Sequence, residues 1–175
     1  MASSAHDEQT ATAYHAAAHM AIACHYNLPV GRLSMAGQDT ARAPGHTPLP
    51  IETDITPGAE PSFHTLNVIT CLVAGAIAEE RYSGRLNVAA AEGDHQQAWR
   101  LAIAVADTDR AAEALLDWLT IRAEQDVNRF WNEITAIAAL LLENGSVTPE
   151  QARAVARDAD RRRSPRGPAD EPGHS

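Results

Sequence analysis

The sequence predicts a mainly α-helical, compact domain with a small β element near one end and a long C-terminal helical hairpin. Three observations lead there. Alanine supplies about one residue in five, and alanine loses the least side-chain entropy in a helix. Aromatic residues, which favour strands, make up only 5%. Over the C-terminal half, apolar residues (Leu115, Leu116, Leu119, Phe130, Ile134, Ile137, Leu141 and Leu142) recur mostly at three- and four-residue intervals, the spacing of one helix face. With 175 residues, 45% of them hydrophobic, the chain is long enough and apolar enough for one packed domain.

The elements follow in order. Residues 1–9 are polar and read as a flexible leader. A helix is expected over residues 10–26, stopped by Asn27 and Pro29. Residues 30–35 suit a short strand. Five prolines and several glycines then crowd into residues 36–61, which reads as a functional loop or an extended edge segment. Helix resumes at Ser62 or His64 and runs to Tyr82, where Ser83 and Gly84 end it. Gly93-Asp94 is expected to open a helix reaching Ala106, with Asp94 at the cap. Thr108 begins the longest helical stretch, which stops at Asn144-Gly145. Thr148-Pro149-Glu150-Gln151 is a capping-box pattern with proline at the first helical position, starting a last short helix. Residues 158–175 read as a disordered tail, leaving residues 10–157 as the domain.

Charge and composition exclude several functions. The chain carries 14 basic and 23 acidic residues, a net −9, a poor balance for gripping nucleic-acid phosphates. Every basic residue is arginine. The missing lysine removes the phosphate-binding lysine of a nucleotide loop, hence ATP binding of that kind, and any Schiff-base mechanism. Cys24 and Cys71 sit in apolar stretches and read as core thiols rather than a disulfide framework. No secretory pattern opens the sequence, and the longest apolar run, residues 68–78, is about half a membrane span. A soluble, cytoplasmic protein without membrane or nucleic-acid partners is expected.

His15 and His19 stand four apart in HAAAH. Four residues advance about one helical turn, so both imidazoles project from one face and can grip the same ion. The order of motifs around them resembles the protease domain of the FtsH-type ATP-dependent zinc metallopeptidases. Tyr14 to His19 reads YHAAAH where that family has tyrosine-histidine-glutamate-alanine-glycine-histidine. Leu28-Pro29 followed by Arg32-Leu33-Ser34-Met35 looks like its step into a strand. Gly45-His46-Thr47, continuing to Leu49-Pro50 and Glu52, resembles its glycine-containing loop. Val73-Ala74-Gly75, Glu79-Glu80 and Tyr82-Ser83-Gly84 look like its glycine-rich helix with paired glutamates and aromatic-X-glycine end. Gly93-Asp94-His95-Gln96-Gln97-Ala98 is similar to its aspartate-opened helix. The resemblance covers about residues 10–157.

It implies a Zn2+ site of His15, His19 and Asp94 with a water completing four-coordinate zinc, and hydrolysis of peptide bonds in unfolded or extended substrates by metal-activated water. Asp94 therefore reads both as a helix cap and as a ligand. Glu79 and Glu80 take hydrogen-bonding positions behind the ligands, or, as an alternative, reach the water as a substitute base. Gly45, His46 and Thr47 fall where substrate backbone would pair with an edge strand; the other reading is a surface loop. The main departure is Ala16, at the position of the family's general-base glutamate. A methyl group transfers no proton, and such catalysis typically supplies about 10²–10⁴-fold. Ala16 fits an engineered substrate trap and a naturally degenerate relative equally. The alternative function is a non-catalytic pseudopeptidase that binds peptide or a protein partner. Ala18 replaces a family glycine, a change of one methyl group.

Other residues are weaker candidates. His25 lies ten residues after His15, the separation of a metzincin third ligand, but Ile22 stands where that pattern needs glycine. In a continuous helix His25 points about 80° away from His15. Trp99, Trp118 and Trp131 are expected in the core or at an interface, and the long helix also suits self-association into a homo-oligomer. Arg161-Arg162-Arg163 is too short a run to imply nucleic-acid binding.

Overall fold

The computed structural model describes residues 2–35, 62–85 and 87–163. Among these the protein is mainly helical, with six helices and one two-stranded antiparallel sheet. The helices are α1 (Ala2–His25), α2 (Phe63–Ser83), α3 (Val88–Val105), α4 (Asp109–Arg129), α5 (Trp131–Asn144) and α6 (Pro149–Arg163). The strands are β1 (Leu33–Ser34) and β2 (Ser146–Val147). No helix of the described residues is long and apolar enough to cross a membrane. The loop or edge segment expected over residues 36–61, with Gly45, His46 and Thr47, lies outside the described residues.

Helix α1 is the centre of the domain. From Ala13 to Ala23 every residue is buried except Tyr14. Its alanines leave only methyl groups at most of these positions, so neighbouring helices can approach closely. Helix α2, backed by α3 and α4, covers it from one direction, and α5, backed by α6, from another. Tyr14 stacks on Tyr82 of α2 at 4.3 Å and on Trp131 of α5 at 5.2 Å between ring centroids. Arg81 lies over the Trp131 ring at 4.2 Å, a cation–π contact that closes the stack.

Most helix ends follow local chemistry. Asn27 takes the left-handed conformation (φ 54°), and the Leu28 amide donates to Ala23 carbonyl at 2.8 Å, a Schellman ending sealed by buried Leu28. Ser62 caps α2 by accepting from the Thr65 amide at 3.1 Å, and Gly84 ends it with φ 71°. Thr108 caps α4 through the Ala111 amide. The Thr148 amide donates to Gln151 Oε1 at 2.9 Å while the Gln151 amide donates to Thr148 Oγ1 at 3.3 Å, the reciprocal capping box expected before Pro149.

Five boundaries differ from the expectation. Helix α1 begins at Ala2, ahead of the start expected at residue 10. Helix α6 continues to Arg163, into the stretch read as tail. Helix α3 starts at Val88 and runs through Gly93 and Asp94, so Asp94 is an interior residue and caps nothing. The long helix expected from Thr108 to Asn144 is two helices, broken at Phe130 (φ −98°, ψ 16°). Buried Phe130 marks the point where the chain leaves α2, the neighbour of α4, for α1, the neighbour of α5. The expected strand over residues 30–35 shortens to Leu33–Ser34, which pairs Leu33 with Val147 and Ser34 with Ser146.

Candidate metal centre

Helix α1 presents His15 and His19 one turn apart, their rings 4.8 Å apart and edge to face. Both are buried, as are Asp94 and Glu79. Helix α2 runs antiparallel to α1 and faces this pair with Cys71, Gly75 and Glu79, spaced four apart along one stripe. His15 Nδ1 donates to Glu79 Oε2 at 2.8 Å, and His19 Nδ1 donates to the Cys71 carbonyl at 2.9 Å. The Asn87 amide group donates to Glu79 Oε1 at 3.0 Å, and the Cys71 thiol donates to the His19 carbonyl at 3.3 Å. Helix α3 brings in Asp94. Its Oδ2 lies 3.0 Å from His15 Nε2 and 3.1 Å from His19 Nε2.

Two imidazole nitrogens and one carboxylate oxygen thus lie within 4.8 Å of one another, and these three residues form a group that could hold a metal ion. A tetrahedral zinc with bonds of about 2.0–2.1 Å spaces its ligand atoms about 3.3 Å apart, and the two nitrogen–oxygen separations here are 3.0 and 3.1 Å. Both Nδ1 atoms are committed to oxygen acceptors, which fixes the rings and turns Nε2 inward, the arrangement of metal-binding histidines. Gly75 leaves open the space beside both Nε2 atoms that a Cβ would fill.

The electrostatics match. Each of the four ring nitrogens faces an oxygen that accepts, an arrangement that favours the protonated rings when no metal is bound. Burial is the largest single effect on His15 and works against its charge, but Asp94 and then Glu79 outweigh it and raise its pKa from 6.5 to about 9. Burial likewise opposes charge on His19, as does neighbouring His15, but Asp94 and then Cys71 outweigh them and raise it to about 9. Burial alone would raise Asp94; the two imidazoles hold it well below the usual carboxylate range instead. Every buried side-chain nitrogen and oxygen among the described residues has a partner.

The structure brings together His15, His19, Asp94 and Glu79 from the residues the sequence singled out. Glu80 is exposed and stands apart from them. Ala16 is packed in the apolar core, 1% exposed. His25 is at the exposed end of α1, tilted against the Phe130 ring with centroids 4.2 Å apart, and takes no part. Trp99 and Trp131 pack partly buried against the core, whereas Trp118 is 51% exposed. Sequence reasoning missed the roles of the Cys71 carbonyl and Asn87, and treated Gly75 only as part of a motif. The four-residue spacing of Cys71, Gly75 and Glu79 was the available signal; nothing local marks Asn87. No family model matches the chain, and no curated protein matches it.

Proposed function

We propose that this chain is a zinc-holding, peptidase-type domain similar to the FtsH protease domain, which takes hold of extended peptide but cleaves it poorly. The observation that carries this reading is the convergence of His15 Nε2 and His19 Nε2 on Asp94 Oδ2, at 3.0 and 3.1 Å, with both Nδ1 atoms engaged elsewhere. Two imidazoles and one carboxylate suit a zinc site that keeps one position open. The exchange also balances in charge, since a dication would replace the two Nε2 protons.

When bound, zinc supplies Lewis-acid polarisation of an oxygen at that open position. The chain's own residues do the rest. Glu79 and the Cys71 carbonyl hold the two Nδ1 protons and orient the rings. Asn87 holds the other oxygen of Glu79. Ala16, next to His15, neither takes nor returns a proton. Glu79 does not replace the missing base, because its two oxygens are engaged by His15 Nδ1 and Asn87. The second reading is a pure binding module, and the packing of Ala16 in the apolar core favours it, since no side chain at that position is offered to a reactant.

Protein purified without a histidine tag is expected to take up about one zinc per chain, read by elemental analysis, and to lose it in His15→Ala, His19→Ala and Asp94→Asn. The protein as it stands is expected to bind unfolded casein saturably and leave it intact. Zinc-loaded Ala16→Glu, checked for helical content and metal, is expected to cleave it. No zinc uptake would leave the histidines as core residues and end the reading. Turnover at Ala16 rejects the binding module, while a folded, zinc-loaded Ala16→Glu without turnover leaves the binding module alone standing.

A further inference from the structure

Glycine in a helix interior is unfavourable relative to alanine because it loses more backbone freedom on folding. Helix α2 carries alanine at its neighbouring buried positions, Ala74 and Ala78, yet glycine at position 75. Packing against apolar neighbours does not account for the difference, because a Cβ on Gly75 would meet the metal centre instead. It would stand 2.5 Å from His19 Nε2, 2.6 Å from His15 Nε2 and 2.7 Å from His15 Cδ2. Real Cβ contacts essentially never come under 3.0 Å, so something would have to shift.

The rings have little room to do so. His15 is held at Nδ1 by Glu79 and His19 at Nδ1 by the Cys71 carbonyl, at 2.8 and 2.9 Å, and both rings are buried. The displacement would fall on the two Nε2 atoms that converge on Asp94. An ion about 2.0–2.1 Å from both nitrogens would also have the added methyl as an immediate neighbour. Both conflicts involve the same two atoms.

We infer that Gly75 is a positioning residue of the metal centre, kept free of a side chain so that His15 Nε2 and His19 Nε2 can share one ion with Asp94. The inference rests on reading these three residues as a metal site. It assigns α2 two roles toward that site: Cys71 and Glu79 orient the rings, and Gly75 clears the space between them.

The test compares wild-type protein, Gly75→Ala and, as a control, Gly31→Ala, since Gly31 is exposed and has nothing within 4 Å of its added Cβ. Zinc affinity is measured by competition with a chromophoric chelator, and coordination by the visible spectrum of the cobalt(II)-loaded protein. Gly75→Ala is expected to bind zinc about 10–100-fold more weakly with an altered cobalt spectrum, and Gly31→Ala to match wild type. The melting temperature of the metal-free proteins supplies the second arm. Gly75→Ala is expected to lower it in the wild-type background and not in a His15→Ala/His19→Ala background, where the obstructing rings are gone. Zinc affinity for Gly75→Ala within about threefold of wild type, or an equal loss of melting temperature in both backgrounds, overturns the inference. Failure of wild-type protein to take up zinc is the separate outcome that overturns the metal reading and this inference with it.

Discussion

Asp94 Oδ2 is approached by two imidazole nitrogens at once, and each imidazole is held from behind by another oxygen. This geometry sets a pH dependence whose sign can be worked out. His15 and His19 rise from 6.5 to about 9, so their charges stabilise the metal-free protein fully below pH 6.5, and that contribution is lost as pH rises through about 9. Asp94 is lowered from 3.8, so its contribution is present above pH 3.8 and is lost as pH falls through its depressed value. A histidine shift of this size corresponds to about 3 kcal/mol, less for two rings that share one carboxylate. The melting temperature of chelator-treated protein is therefore expected to drop between pH 6.5 and 9 by on the order of 5–10 °C. Zinc competes for the same protons, so its affinity should rise over that window. A melting temperature that is flat or rising there contradicts the charged cluster. Glu79→Ala leaves the His15 Nδ1 proton buried without its acceptor and should weaken zinc about 10–100-fold. Glu79→Gln, whose amide oxygen still accepts, should lose much less. Equal affinities for all three proteins would mean that something other than Glu79 orients His15.

At the scale of elements, both ends of α2, the start of α4, the end of α5 and the start of α6 are governed by groups within a few residues of each end. Thr148 and Gln151 satisfy each other's amides before α6, and Gly145 ends α5 with φ 69°. Thr148→Ala is expected to cost about 1 kcal/mol, or about 2–4 °C in a chain of this size, and thermal unfolding followed by circular dichroism would show it. These ends were legible in the sequence for the same reason, since the determining groups are neighbours along the chain. The break between α4 and α5 was not. No proline or glycine lies between Asp109 and Asn144, and the apolar spacing runs on across Phe130. The chain turns there because α4 packs on α2 and α5 packs on α1, two supports with different directions. The start of α3 misled in the opposite way. Gly93-Asp94 looks like a helix opening, yet the helix passes through it and carries Asp94 into the interior of the fold. An aspartate is a weak helix former there; its two imidazole partners explain its presence.

For the whole molecule, the buried cluster of His15, His19, Glu79 and Asp94 ties together three helices that meet nowhere else in one cluster of this kind among the described residues. His15 and His19 come from α1, Glu79 and Cys71 from α2, and Asp94 from α3. An ion bound only by the folded chain stabilises it by mass action, about 4 kcal/mol at a free concentration a thousand times the dissociation constant. Zinc is therefore expected to raise the melting temperature by on the order of 10 °C, chelator to reverse it, and His19→Ala to show neither effect. An unchanged melting temperature on adding saturating zinc to wild-type protein would count against a site that spans these helices. The surplus of alanine acts at this scale too. It allows α1 to be enclosed by its neighbours, with Ala13, Ala17, Ala18 and Ala23 wholly buried.

The sequence by itself determined the helical class, the capped ends and the four-residue spacing that puts His15 and His19 on one face, because each depends on groups close together along the chain. It also placed Ala16, whose methyl group transfers no proton, beside the first histidine. The tertiary structure alone decided what those histidines face. Glu79, Cys71 and Asp94 lie 52 to 79 positions away from the imidazoles they hold, and separations of that length leave no local pattern. Glu79 and Glu80 were equivalent in sequence; the rotation of α2 turned one toward His15 and the other to solvent. Gly75 was one glycine among ten until the packing of α2 against α1 brought it against both Nε2 atoms. Side-chain chemistry is written in the chain, but which groups share a buried space is set by how the helices pack.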